Sequence, residues 1–386
     1  MDFYLTEEQK AVRDAARDFT QIELKPGVIE RDTNKIHPTP QIKQMGEMGF
    51  MGMMVDPKYG GGGMDTLSYV LAMEEISKID ASCSVAMSVN NSLVCWGIET
   101  FANEEQKQKY LPKLTTAEWV GAFCLSEPEA GSDATSQRTT AEDKGDYYLL
   151  NGVKNWITNG GTSQLHIVIA QTDPEKGSRG INAFLVETSW DGVIIGPKED
   201  KLGIRASDTH TIMYQDVKVP KANRIGEDGF GFKFAMKVLA GGRIGIAAQA
   251  LGIAAGAYEL AAAYANERIA FGKPIAQHQA IAFKLADMAT EIEAARMLVY
   301  RAASLKDEGK DYGMASAMAK LKASSVAMDV TVEAVQVHGG YGYVKEYHVE
   351  RLLRDAKITQ IYEGTSEIQK IVISRGVIKG NLYLPT

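Results

Sequence analysis

Ile244–Ala265 reads IGIAAQALGIAAGAYELAAAYA, 22 residues dominated by Ala, Gly, Leu and Ile. By length alone it would cross a bilayer. Gln249 and Glu259 interrupt it, alanine contributes little to membrane insertion, and the sequence holds no second such run. Small side chains let neighbouring helices approach closely, so the stretch is expected to be a buried helix of a soluble bundle. Two further helical patterns follow, at about Ala280–Asp307 and Gly313–Gln336, and would pack with it.

Upstream of Gly229 the pattern changes. Short apolar runs (Tyr147–Leu150, Ile167–Ala170, Asn182–Val186, Val193–Ile195 and Thr211–Tyr214) alternate with turn signals such as Asn159-Gly160-Gly161. Without long helices between them, such strands predict an antiparallel sandwich- or barrel-like unit. Before Trp119 the pattern is helical again. Leu5–Phe19 opens with a capping-box pair, Thr6 and Gln9, and helical stretches follow at Thr66–Lys78 and Glu104–Lys113. The run Tyr59-Gly60-Gly61-Gly62-Gly63 lacks the GK[ST] ending of a phosphate loop and reads as a flexible connector. The expected fold is α+β in three parts: an N-terminal α-helical domain (1–118), a middle antiparallel β domain (119–229) and a C-terminal α-helical bundle domain (230–386).

The 386 residues carry 42 Lys+Arg against 49 Asp+Glu, a net charge of −7, so no basic excess exists to neutralise nucleic-acid phosphates. Cys83, Cys95 and Cys124 are an odd set without CxxC spacing, which argues against a disulfide framework and a zinc cluster. The histidines are dispersed and no metal site is expected. Met1-Asp2-Phe3-Tyr4 has no basic or apolar leader character, so no secretory signal is expected. Neither a GxSxG elbow nor a GxGxxG fingerprint is present.

Four denser segments remain. Cys124–Asp133 combines hydroxyls with Gly131 in a loop that could hold a phosphate or a flavin edge, though by itself it reads first as a Pro/Gly/Asp turn. Trp156-Ile157-Thr158 ends a strand before a hairpin turn. Gln336–Tyr343 is glycine-rich at a helix end, which permits close approach of a ligand and also simply stops a helix. In Ile361–Glu367 an acid, Glu363, sits between Tyr362 and Gly364; desolvated there it would be a base, and solvated it would be an ordinary loop residue.

Taken together, these segments resemble the acyl-CoA dehydrogenase family over nearly the whole chain. Ser126-Glu127 with Gly131-Ser132-Asp133 matches one family signature. Gln336-x-x-Gly339-Gly340-x-Gly342-Tyr343-x-x-Glu346, with Arg351 and Asp355, matches a second. Ser88–Leu93 looks like the short-chain, butyryl-CoA members. The resemblance implies FAD as cofactor, bound by Phe123, Leu125, Ser126, Ser132, Trp156, Thr158, Thr365 and Glu367. Arg268, Phe271, Gln279, Gln336, Gly339 and Gly340 would complete the site, largely toward the FAD of a neighbouring subunit in a homotetramer built from dimers. Ser132, Arg243 and Gly364 correspond to substrate contacts, and Glu363 to the catalytic base. The implied reaction is α,β-dehydrogenation of a short-chain acyl-CoA, with electrons passed to an electron-transferring flavoprotein. Ala240 stands where nearby relatives carry Asp, so no CoA-side contact is assigned to it. Gly242 occupies the place where isovaleryl- and long-chain-type relatives carry their base. The resemblance also implies a cytoplasmic, bacterial-type enzyme, or a mitochondrial matrix one if the chain is a processed form. Two alternatives accompany it: an enoyl-CoA reductase running the reverse reaction, and a non-catalytic scaffold of the same fold.

Overall fold

The computed structural model describes residues 4–380; Met1–Phe3, part of the N-terminal reading, and 381–386 lie outside the described residues. The N-terminal part runs α1 (Glu7–Phe19), α2 (Val28–Asn34), α3 (Thr39–Glu47), α4 (Thr66–Ser77), α5 (Ala81–Ser88), α6 (Trp96–Phe101) and α7 (Glu104–Thr115). The Thr6–Gln9 capping box forms, and Val12, Ala16 and Phe19 face the core as their spacing predicts. Between α5 and α6 the chain widens into a π-helical stretch, Val89–Cys95, wholly buried. The glycine run is not a loose connector. The Gly62 and Gly63 amides bond to the Gly52 and Val55 carbonyls at 2.9 and 2.8 Å, and a Cβ on Gly61 would lie 2.1 Å from the Val55 oxygen. Those glycines are there because two backbones touch.

The middle part supplies β1 (Gly121–Cys124), β2 (Thr140–Asp143), β3 (Tyr147–Thr158), β4 (Leu165–Gln171), β5 (Ile181–Glu187), β6 (Val193–Lys198), β7 (Thr209–Pro220) and β8 (Arg224–Ile225). They form one eight-stranded sheet, ordered β6-β7-β3-β2-β4-β5-β8 with β1 also beside β4. Most pairings are antiparallel as expected, but β1 and β2 each join β4 in parallel. Hairpins enforce antiparallel neighbours; the long excursion between β1 and β2 frees both from that constraint. Every residue of β4 is buried, because both of its faces are covered. Leu165, Ile167 and Ile169 join the helical core, while Val168 and Ala170 join a second core with Tyr148, Phe184 and Tyr214.

The C-terminal part begins with α8 (Gly231–Glu267), 37 residues long and containing the alanine-rich stretch. A hairpin, β9 (Ile269–Ala270) and β10 (Lys273–Pro274), leads to α9 (Gln279–Asp307), α10 (Gly313–His338), α11 (His348–Ile358) and α12 (Ser366–Ile378). Among the described residues α8 alone is long and apolar enough to cross a membrane, yet 89% of its most apolar window is buried against protein. Its glycines make that packing possible. A Cβ at Gly252 would lie 2.4 Å from the Glu74 carbonyl oxygen, and one at Gly256 would lie 2.3 Å from that of Lys78. Arg351 and Asp355 of α11 tie the parts together: they pair at 2.9 Å, Arg351 donates to the Ile79 carbonyl, and Asp355 accepts from the Ile204 amide.

Candidate active site

Glu363 stands in the turn between α11 and α12. Its φ is +51° and that of Gly364 is +93°, so the two residues make a left-handed bend that is costly for glutamate and free for glycine. Thr365 ends the bend by capping α12, accepting from the Ile368 amide. Two buried donors hold the turn. Lys320 Nζ, on α10, donates to the Gly364 carbonyl at 2.7 Å, and Gln369 Nε2 donates to the same oxygen at 2.7 Å. The neighbouring Tyr362 hydroxyl donates to Gln249 on α8.

The bend delivers the carboxylate against α8. A Cβ on Gly242 would lie 2.2 Å from Glu363 Oε2 and 2.7 Å from Leu93 Cδ2. Gly242 and Glu363 therefore compete for one volume, and only one of the two positions can present a side chain there. Glu363 Oε2 is buried without a hydrogen-bond partner, although the residue as a whole is half-buried. Burial pushes the carboxyl up to about 7, against the pull of Lys320 and Arg243. The titratable groups around it come from four directions: the cations Lys320 from α10 and Arg243 from α8, and the neutral hydroxyls of Tyr69 from α4 and Tyr362 from its own turn. Arg243 is buried with its Nε unpartnered, and desolvation lowers its pKa. An orphaned carboxylate oxygen and an orphaned guanidinium nitrogen beside an apolar wall can receive a polar substrate group and a proton.

Ser88–Leu93 divides in function. Asn90 donates to the Met51 and Leu114 carbonyls and accepts from the Gly121 amide; Asn91 likewise binds Phe50, Met87 and Met53. Both are internal staples. Leu93 faces Gly242, and Ser88 accepts from Tyr69 at the level of Gly245.

The middle-domain candidates lie at the end of β3, on β1 and in the loop that follows β1. Lys154 pairs with Ile212 and Ile157 with His210, so β3 carries one extra residue and bulges at Asn155–Trp156. Trp156 takes φ +62° there and exposes 61% of its surface. The Asn155 amide donates to the Ser126 carbonyl at 2.9 Å, bringing the Leu125–Ser126 segment alongside the bulge of β3. The loop is anchored from within by the buried pair Lys154–Glu127 at 2.7 Å, Glu127 also accepting from the Arg138 and Thr139 amides. Ser132 lies exposed farther along it. An exposed indole beside hydroxyls and free backbone fits the flat, polar-edged ring system of FAD.

The remaining candidates lie elsewhere. Arg268 is 25 residues beyond Arg243 along α8, about 37 Å at 1.5 Å per residue. There Arg268, Gly339 and Gly340 line an open depression of about 530 Å³ with Tyr264 and Tyr341. Phe271 is 97% exposed at φ +52° on the hairpin, and Gln279 opens α9, whose first turn has no side-chain cap. An uncapped helix start beside an exposed arginine fits a pyrophosphate. Gln336 is exposed one turn before Gly340. Thr365 and Glu367 border a different groove, about 700 Å³, between α10, α11 and α12. One chain thus brings together Glu363, Gly364 and Arg243, and separately Trp156 and the Ser126 loop, but holds Arg268 about 37 Å along α8 from Arg243.

Sequence reading missed Lys320 and Gln369. The signal was present: Ser316, Lys320, Ala323 and Ala327 form one buried stripe of α10, and a lysine in such a stripe needs a buried partner.

The chain matches the sequence profiles of the acyl-CoA dehydrogenase N-terminal domain over residues 6–118, middle domain over 122–217 and C-terminal domain over 229–378. A solved chain from the electron transferring flavoprotein work on Acidaminococcus fermentans, concerned with flavin-based electron bifurcation, is 51% identical with a TM-score of 0.97, covering 98% of this chain and 100% of its own. Butyryl-CoA dehydrogenase from Megasphaera elsdenii is 50% identical with a TM-score of 0.96 and the same coverage. A curated relative, acryloyl-CoA reductase (NADH) from Anaerotignum propionicum, is 46% identical over 381 residues, 98% of this chain and 96% of its own.

Proposed function

Because the chain belongs to the acyl-CoA dehydrogenase family of oxidoreductases, we propose that it desaturates short-chain acyl-CoA thioesters between Cα and Cβ, with Glu363 as the base. The observation that carries this reading is the unpartnered Glu363 carboxylate, enclosed by Gly242 and Leu93. The reaction removes a proton from Cα and a hydride from Cβ, leaving a trans-2-enoyl-CoA. Bound FAD would supply the hydride acceptor, held by Phe123, Leu125, Ser126, Trp156 and Thr158.

This chain's residues do the rest. Glu363 takes the α-proton, and its ionised fraction grows as pH rises through about 7. Its backbone N–H donates to no protein acceptor among the described residues, and is free to hold the thioester oxygen as enolate charge develops. Arg243, buried beside Glu363, orients the polar end of the substrate and keeps a larger fraction of the carboxyl ionised at neutral pH. The electrons then pass to an electron-transferring flavoprotein, a reading favoured by the similarity to the Acidaminococcus fermentans chain.

The test is anaerobic bleaching of the flavin against a ladder of acyl-CoA substrates. Butyryl-CoA should show a higher kcat/KM than octanoyl-CoA, since Leu93 packs against Gly242 beside the Glu363 carboxylate; the reverse order overturns the chain-length reading. The similarity to acryloyl-CoA reductase favours a second reading, in which Glu363 returns its proton to Cα of an enoyl-CoA. Faster reoxidation of the reduced protein by crotonyl-CoA than by the flavoprotein partner selects it.

A further inference from the structure

Lys320 is a fully buried lysine whose ammonium has one acceptor among the described residues, the Gly364 carbonyl at 2.7 Å. A buried ammonium satisfied by a single carbonyl is expensive, and Met would fill the same space without that cost. The acceptor is informative. Gly364 follows Glu363 directly, and the two share the left-handed bend that carries the carboxylate to Gly242. Gln369 already donates to that carbonyl at 2.7 Å, so the hydrogen bond alone does not explain a charged group.

We propose that Lys320 is a positioning residue for the proton-transfer step: its ammonium clamps the Glu363–Gly364 bend and, as a buried cation facing the carboxylate, favours the ionised form that accepts the proton. The proposal rests on the reading of Glu363 as the base. Arg243 from α8 acts in the same sense, whereas Tyr69 from α4 and Tyr362 from the turn bring hydroxyls without positive charge. Lys320 itself is pulled down to about 8 by burial, so it is charged at neutral pH and loses its effect in mildly alkaline solution.

The experiment is an infrared pH titration of the holoenzyme, the Glu363 carboxyl band being the one missing from Glu363→Gln. In Lys320→Met its midpoint should rise by about one unit or more. Flavin reduction by butyryl-CoA at pH 7 should slow by about tenfold with KM within about twofold, and Lys320→Arg should recover much of the rate. If Lys320→Met does not fold, Lys320→Gln, which keeps a donor without the charge, is read in its place. An unchanged or lowered midpoint in a folded variant overturns the proposal. Normal flavin reduction by Glu363→Gln would instead overturn the base assignment, while the infrared shift would still report the hold of Lys320 on the carboxyl.

Discussion

A carboxyl enclosed between Leu93 and Gly242 is costly to ionise even with a buried lysine beside it, and that cost appears in stability as well as rate. The folded Glu363 titrates at about 7 against 4.5 for an ordinary glutamate. Between those values the unfolded chain has released its proton while the folded one keeps it, so stability falls as pH rises through the window and levels off above it. Glu363→Gln removes this dependence. Its melting temperature should match wild type near pH 4.5 and exceed it above pH 7, by roughly 1–3 kcal/mol in free energy. FAD should stay bound, since none of the cofactor candidates depends on this carboxylate. Flavin reduction by butyryl-CoA in stopped flow should slow by roughly 10²–10⁴-fold, with KM nearly unchanged. Near wild-type bleaching together with a pH-independent stability difference would show a solvated, structural glutamate.

At the scale of elements, α8 does two jobs with one composition. Gly252 and Gly256 let α4 lie against it backbone to backbone, while Gly241 and Gly242 open space beside the site. Alanine favours a helix over glycine by about 1 kcal/mol, so the sign of each substitution depends on what the new Cβ meets. At Gly241 the nearest atoms would be Lys306 Nζ and Tyr312 Oη, both at 3.8 Å, an ordinary contact. At Gly252 the new Cβ meets the Glu74 carbonyl at 2.4 Å and Ser77 Cβ at 2.6 Å, neither the tip of a flexible side chain. Gly241→Ala should hold or raise the melting temperature. Gly252→Ala should lower it, by roughly 1–3 kcal/mol of overpacking. Equal effects would mean that the α4–α8 contact yields more readily than its geometry implies.

For the whole molecule, the distance along α8 decides. Arg268 and the Gly339–Gly340 depression sit about 37 Å along the helix from Arg243, farther than one site spans. Around that end Ile269, Phe271, Phe283 and Tyr343 are exposed apolar groups of the kind a second copy covers. In a two-fold dimer Arg268 of one chain would meet the FAD held by the other, and two dimers would form the proposed tetramer. Arg268→Ala should weaken FAD retention by about tenfold through loss of a charge-assisted phosphate contact. A complementation test is sharper. Co-expressing Arg268→Ala with Glu363→Gln gives mixed dimers in which one site carries both native residues. Assayed without added FAD, where Arg268→Ala homodimers are largely empty, activity should return to about one quarter of wild type, from half the dimers mixed and half their sites intact. No recovery in verified mixed dimers would place Arg268 outside the neighbour's site.

The chain's periodicities determined most of its architecture. Small residues at helical spacing specify α8 whatever surrounds it, and Thr6, Gln9 and Thr365 set helix starts through contacts three residues away. Signatures also marked the loop at Ser126, the strand end at Trp156 and the turn at Glu363, because each is a short segment with its own turn chemistry. What tertiary structure alone decided is long-range. The parallel entry of β1 and β2 depends on where β4 lies, the pinned glycine run depends on Gly52 and Val55, and Asn90 and Asn91 became staples because three backbones converge on them. Most of all, the Glu363 carboxylate owes its burial, and with it its raised pKa, to an absent side chain at position 242, while a lysine 43 residues upstream pulls that pKa back down. Desolvation and charge act through space, and a local sequence pattern does not record which distant residues will share that space.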